Sequence, residues 1–138
     1  MSPVEKVLYT AQTHTTGGRV GASHSSDGRL DVALSAPGST GSGTNPEQLF
    51  AAGWSACFLS ALELVAGKMK VNVPADRAVD AEVDLLLTEG AYSLRVRLNV
   101  RWPGLEPEVA RAFIEAGHQT CPYSKAIHGN IDVATNLV

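Results

Sequence analysis

Between Thr44 and Gly67 the chain reads TNPEQLFAAGWSACFLSALELVAG, and this stretch narrows the choice of fold more than any other. Asn45 is a good N-cap, because its side-chain oxygen accepts an N–H of the first turn that has no partner inside the helix. Pro46 follows at the first helical position, where its missing N–H costs nothing. Glu47 sets a carboxylate near the positive end of the helix dipole. After Gln48 the residues are apolar on nearly every side, and Gly67 reads as a left-handed cap. The stretch is expected to form one long helix, and a helix that is apolar all round is buried. Cys57 lies in its middle. A thiol there is either inert filler or the chemistry of the protein, and composition does not choose between them.

The rest of the composition bounds the alternatives. A chain of 138 residues suits a single domain, residues 1–138, with a core of its own. With 11 basic and 14 acidic residues the net charge is −3, so no basic field calls for nucleic acid. Residues 49–66 are long enough to cross a membrane, but Ser55, Ser60, Glu63 and many alanines interrupt them. The flanks are strand-like and amphipathic, so a buried soluble helix is expected. A charged-then-apolar leader is not evident at the N-terminus, which makes a cytoplasmic location the expectation. In a reducing compartment Cys57 and Cys121 are not expected to form a persistent structural disulfide. His14, His24, His118 and His128 do not space with them as zinc ligands do, so neither a metal nor any other cofactor is expected.

Along the chain, residues 5–11 (KVLYTAQ) read as a first strand. Gly17-Gly18 and Asp27-Gly28 carry turn chemistry, and the second pair joins Val20–Ser25 to Arg29–Leu34 as a hairpin. The first third is thus expected to be an antiparallel meander. Residues 36–44 (APGSTGSGT) read as a connector that leads into the long helix. Val79 to Leu87 and Leu94 to Trp102 alternate as a strand pair about Glu89-Gly90-Ala91. A two-residue turn at Glu89-Gly90 sets Asp84 opposite Arg95 and Glu82 opposite Arg97. A shift by one sets Asp84 opposite Arg97 and Asp80 opposite Arg101. Either register gives these arginines cross-strand acids, so catalysis does not need them. Leu105 to Ala116 has helical spacing, and Gly117 is expected to end that helix. Pro122 and Gly129 bracket a short helix with Cys121 at its start, where the dipole favours a thiolate and access is better than in mid-helix. Ile131 to Leu137 reads as a closing strand.

A thiol in apolar surroundings has a raised pKa and is unreactive. If Cys57 reacts, a cation must reach it, and Arg19, Arg29, Arg77, Arg111 and the lysines remain as candidates. Arg19 sits in GGRVG, whose glycines permit a close backbone approach. Glu47 is about 15 Å along the helix from Cys57, too far to touch the sulfur but able to hold an arginine in a defined bidentate pose. The bland alternative keeps Cys57 as filler, Arg19 as a surface charge and Glu47 as a dipole residue.

Five blocks bear on that choice: YTA at 9–11, GGRVG at 17–21, SxDGxLDVxL at 25–34, TNPEQLFAAGWSACF at 44–58 and CPYSKAIHGNIDV at 121–133. Together, in order, they resemble the OsmC/Ohr family, and more narrowly its organic hydroperoxide resistance branch. The resemblance implies an α+β, OsmC-like fold. In it, antiparallel sheets pack around a long buried central helix, and two chains form an intertwined homodimer with the active sites at the interface. It implies a thiol-dependent peroxidase that reduces organic hydroperoxides to alcohols. Cys57 then matches the peroxidatic cysteine, Cys121 the resolving one, Arg19 the activating arginine and Glu47 the glutamate that positions it. It also implies a lipoyl-type dithiol, dihydrolipoamide or a lipoylated protein, as reductant. His128 takes no role from the resemblance. Phe50, Trp54, Phe58 and Tyr123 are expected to line an apolar substrate site that favours bulky organic peroxides over hydrogen peroxide. The rival readings are a redox sensor or carrier that binds apolar peroxides without turnover, and an interaction module whose apolar helix mainly builds a dimer.

Overall fold

The structure, a computed structural model, describes residues 3–138. The chain forms two compact units, residues 1–46 and residues 47–138.

In the first unit, β1 (Thr13–Thr16), β2 (Ala22–Ser25) and β3 (Asp31–Ala33) make an antiparallel sheet in that order. A single 3₁₀ turn, Gly18–Val20, joins β1 to β2. The Asp27-Gly28 hairpin forms as expected. The Asp27 carboxylate accepts bonds from the Ser25 hydroxyl and the Arg29 N–H, at 2.6 and 3.0 Å, and Gly28 takes a φ of +75°. Residues 36–43 form a loop whose ends meet at Leu34 and Thr44. The strand expected at residues 5–11 is not formed: the first strand begins at Thr13, and residues 3–12 have no regular structure. Val7, Leu8 and Tyr9 suit a strand, but a strand needs a neighbour to bond, and among the described residues none pairs with it.

In the second unit, α1 (Pro46–Met69) opens on Pro46 as anticipated and runs past Gly67. Lys70 takes the left-handed conformation at φ +56°, and the Val71 N–H reaches back to the Ala66 carbonyl at 2.9 Å. That is a Schellman ending with lysine where glycine was expected. The helix is long and apolar enough to span a membrane. It is not buried all round, however. Trp54, Phe58, Ala61, Leu62, Val65 and Ala66 face the core, while Ala52, Ala56, Ser60, Leu64 and Gly67 form an exposed stripe.

β4 (Ala78–Thr88) and β5 (Ala91–Arg101) pair antiparallel in the two-residue-turn register, with Asp84 opposite Arg95 and Glu82 opposite Arg97. Glu89 and Gly90 both take positive φ, which gives the turn the twist a tight hairpin requires. Asp84 bonds both Arg95 and Arg97, whereas Arg101 pairs with Asp76 and not with Asp80. β6 (Asp132–Leu137) lies on the other side of β5 and runs parallel to it, so the sheet is mixed rather than wholly antiparallel. The reversal follows from α2 (Pro107–Thr120) and α3 (Pro122–Ile127), which carry the chain back before β6 starts.

Gly117 does not end α2. It is buried inside the helix, where a Cβ would lie 2.6 Å from Leu62 Cδ2 and 3.2 Å from Phe58 Cε1, so glycine lets α2 close onto α1. The core of this unit joins Trp54, Phe58 and Leu62 of α1 to Val96, Leu98 and Val100 of β5 and to Phe113 of α2. Each large apolar side chain fully buried there stabilises the fold by about 1.5–3 kcal/mol before the entropy of ordering it.

Candidate active site

Cys57 and Cys121 are 64 residues apart in sequence, and their sulfurs lie 3.1 Å apart. Both are free thiols; Cys57 is half-buried and Cys121 fully buried. Two elements produce the meeting. α1 presents Cys57 one turn after Trp54, and Cys121 caps α3 where the chain turns out of α2, its N–H bonded to the Gly117 carbonyl at 2.9 Å. The better access expected of a helix start is not found at Cys121, because the close packing of α2 on α1 carries that start into the core.

Burial pushes the Cys57 thiol above its ordinary pKa. The Tyr123 backbone N–H opposes this by bonding the sulfur, and the hydrogen bond and charge of Cys121 push it higher again. Within residues 47–138 the balance is therefore against a thiolate. A backbone amide alone does not offset the loss of water around the charge.

Of the other expected site residues, Glu47 lies in the first turn of α1 and Arg19 in the 3₁₀ turn of the first unit. That turn requires glycine at its end: a Cβ on Gly21 would sit 1.8 Å from the Thr16 carbonyl oxygen. The other candidate arginines have their own settings. Arg29 pairs with Asp27, Arg77 with Glu63, and Arg111 lines a cavity of about 810 Å³ framed by α2, α3 and β6. Neither cysteine lines that cavity.

The four aromatic candidates divide. Tyr123 is 41% exposed, and its hydroxyl lies over the backbone of Gly53. Phe50 is half-buried and stacks on Trp54, with ring centres 5.6 Å apart. Trp54 and Phe58 are closed into the core, so neither presents a ring to solvent beside the sulfurs. The inward side of an amphipathic helix is where large rings are held.

A buried polar cluster was not foreseen. The Trp54 Nε1–H donates to Ser124 Oγ at 3.0 Å, Ser124 Oγ meets His118 Nδ1 at 2.8 Å, and His118 Nε2 meets Thr135 Oγ1 at 2.8 Å. The His118 ring also packs against Phe58, with centres 4.4 Å apart. One signal was available: an indole in an apolar helix needs an acceptor, and its own helix offers none. Burial, then the like charge of His128, holds His118 below the ordinary imidazole pKa.

With this geometry in place, the comparisons with known proteins define a class. Residues 39–136 match the model of the OsmC-like protein family. An organic hydroperoxide resistance protein of Xanthomonas axonopodis pv. citri is 44% identical over 141 aligned positions, covering 99% of each chain. Two solved structures superpose with TM-scores of 0.88. One is an organic hydroperoxide resistance protein from Legionella pneumophila, 42% identical, covering 96% of this chain and 98% of that one. The other is the organic hydroperoxide resistance protein OhrB of Bacillus subtilis, 41% identical, covering 96% and 100%. The chain therefore belongs to the OsmC/Ohr family, on its organic hydroperoxide resistance branch.

Proposed function

We propose that this chain, acting as one 138-residue domain, is a cysteine-based peroxidase that reduces organic hydroperoxides to alcohols. The observation that carries the reading is the 3.1 Å approach of Cys57 and Cys121 in a chain of this branch. The Cys57 thiolate attacks the outer peroxide oxygen and the O–O bond breaks. The alkoxide leaves as the alcohol after taking a proton, and Cys57 becomes a sulfenic acid. The Cys121 sulfur displaces the sulfenic oxygen as water and forms a disulfide. A dithiol of the lipoyl class then exchanges with that disulfide, returning both thiols and leaving as its own cyclic disulfide.

Because burial raises the Cys57 pKa, the reading needs a cation at the sulfur. Arg19 is assigned that role, with Glu47 holding its guanidinium in a bidentate pose. Phe50 and Tyr123 are assigned to the apolar lining that favours organic peroxides, while Trp54 and Phe58 stay in the core. A cytoplasmic setting suits two thiols that must return to the reduced state. A homodimer is part of the proposal. It is supported by the exposed stripe on α1, with Leu64 at 55%, and by residues 3–12, where Val4 is 96% and Leu8 85% exposed. Exposed apolar surface of that kind marks a surface that associates.

Steady-state reduction of an alkyl hydroperoxide by dihydrolipoamide, beside monothiols and hydrogen peroxide, tests the reading. Cys57→Ser abolishes turnover. Cys121→Ser consumes about one equivalent and then stalls or overoxidises. Full turnover by Cys57→Ser sinks the mechanism, and equal rates with hydrogen peroxide sink the substrate preference.

A further inference from the structure

We infer that His118 and Ser124 form a positioning device that seats α3 and thereby holds the Cys121 sulfur and the Tyr123 N–H against Cys57. The inference rests on the peroxidase reading for its consequence, but not for its geometry.

α3 has six residues, too few to stand as a helix on its own. Its side chains are mostly exposed; Ser124 is the one fully enclosed, at 5%. The hydroxyl of Ser124 is the hub of the attachment. The indole of Trp54 is only a donor, so Ser124 Oγ accepts from it and its O–H is left to donate to His118 Nδ1. With that O–H donated, a neutral His118 carries its proton on Nε2 and donates it to Thr135 Oγ1, the assignment that uses the Ser124 hydroxyl both as acceptor and as donor. One hydroxyl thus fastens α3 to α1 and α2, and through the imidazole to β6. Cys121 precedes Ser124 by three residues, and Tyr123 precedes Ser124 by one. Both groups that touch the Cys57 sulfur therefore move with this hub.

The consequence lies in the second half of the cycle. A Cys57 sulfenic acid either condenses with Cys121 and releases water, or meets a second hydroperoxide and goes on to the sulfinic acid with release of a second alcohol. A seated α3 favours the first outcome. An α3 that lifts exposes Cys121 and favours the second.

Two substitutions in the full chain separate hydrogen bonding from packing. His118→Phe keeps a ring against Phe58 and removes both hydrogen bonds. His118→Asn gives up the ring and keeps an amide oxygen for the Ser124 hydroxyl. Reduced protein is alkylated with iodoacetamide and Cys121 labelling followed by mass. Separately, a small excess of an alkyl hydroperoxide is added and disulfide is measured against sulfinic acid. His118→Phe is expected to label Cys121 about tenfold faster or more, as leaving buried polar partners unsatisfied implies. It is also expected to form disulfide more slowly and to accumulate sulfinic acid, while His118→Asn stays close to wild type in both assays. If His118→Phe matches wild type, or if His118→Asn behaves like His118→Phe, the inference is overturned. If His118→Phe does not fold, Ser124→Ala, which removes the hub hydroxyl, takes its place. Labelling is then expected to rise likewise, and unchanged labelling overturns the inference. A wild-type protein that forms no disulfide with the peroxide sinks the peroxidase reading, while the labelling still decides how α3 is seated.

Discussion

In residues 47–138 the rings of Trp54, Phe58, Trp102 and Phe113 are closed off from solvent, and helices cover one face of a three-stranded sheet. In residues 1–46 a sheet of the same strand number has, among the described residues, one large apolar side chain that is buried, Leu34, and that less completely, at 8% exposed. Val4, Val7, Leu8 and Tyr9 lie open to water. The first unit is ordered by turns and hydrogen bonds and the second by a core. A three-stranded sheet becomes independently stable when something covers an apolar face, and the described residues of the first unit supply no layer of their own to do it. The proposed second copy of the chain would supply one.

The largest test of that contrast is Trp102→Ala. The ring packs on Phe113 with centres 4.7 Å apart, and its Nε1–H donates to the Asn72 carbonyl at 3.0 Å. Truncation is expected to destabilise the protein by about 3–5 kcal/mol, read from urea unfolding. The matching cut in the first unit, Val32→Ala, removes half-buried methyls and is expected to cost no more than about 1 kcal/mol. A Val32→Ala loss as large as that of Trp102→Ala would break the contrast and show the first unit's face to be deeply covered in solution.

Next is Gly21→Ala, a change that acts on the first unit alone. The added Cβ would meet the Thr16 carbonyl oxygen at 1.8 Å and the Gly17 Cα at 2.6 Å, and backbone atoms cannot swing aside. The turn that carries Arg19 must open. Peroxidase activity is expected to fall by about 10²-fold, as when a preorganised charge is withdrawn, and by a similar factor in Arg19→Ala. The urea midpoint reported by the buried tryptophans is expected to move little. Full activity in Gly21→Ala would remove Arg19 from the proposed mechanism.

What the sequence made legible follows the same division. α1 and the β4–β5 hairpin were readable because their signals are local: a capped apolar run, alternation, and Glu89-Gly90 between strands whose acids and bases match. The strand expected at residues 5–11 is not formed, because a strand is completed by its neighbour, and residues 5–11 do not say whether the same chain supplies one. Gly67 and Gly117 both resemble stops in the sequence, although Gly67 lies on the exposed side of a continuing α1 and Gly117 serves a contact with Leu62 that only the folded chain reveals. Of the candidate site, the two sulfurs were anticipated through the family resemblance. The hydrogen bonds among Trp54, Ser124, His118 and Thr135 join residues up to 70 positions apart and leave no periodic trace.

Gly117→Ala sharpens the account of the core. Its Cβ would press on Leu62 Cδ2, which is the tip of a side chain, yet Leu62 is fully buried and has no open space to enter. Overpacking of this kind costs about 1–3 kcal/mol, which the gain in helix propensity of about 1 kcal/mol offsets only in part. In a Leu62→Ala background the penalty should vanish, because the two changes share one volume.

The smallest expected effect is a pH dependence that belongs to the second unit. His118 has its folded pKa held below the ordinary 6.5, first by burial and then by His128. As pH falls, the unfolded chain therefore takes up the proton before the folded one does. Stability should be full above 6.5, fall as pH drops from there toward the lower folded value, and level off beneath it. The structural reason lies at Ser124. A protonated Nδ1 would donate to an oxygen that already accepts from Trp54, and the Ser124 O–H would lose its acceptor. Urea midpoints at about pH 7.5 and about pH 5.5 measure the change, and His118→Asn should lessen it. Cys121 alkylation in wild type, taken relative to that of the urea-unfolded chain at the same pH, should rise as pH falls over this interval. A midpoint drop as large in His118→Asn as in wild type would assign the titration to another group. The seat of α3 would then be indifferent to pH even if the hydrogen bonds that form it were intact.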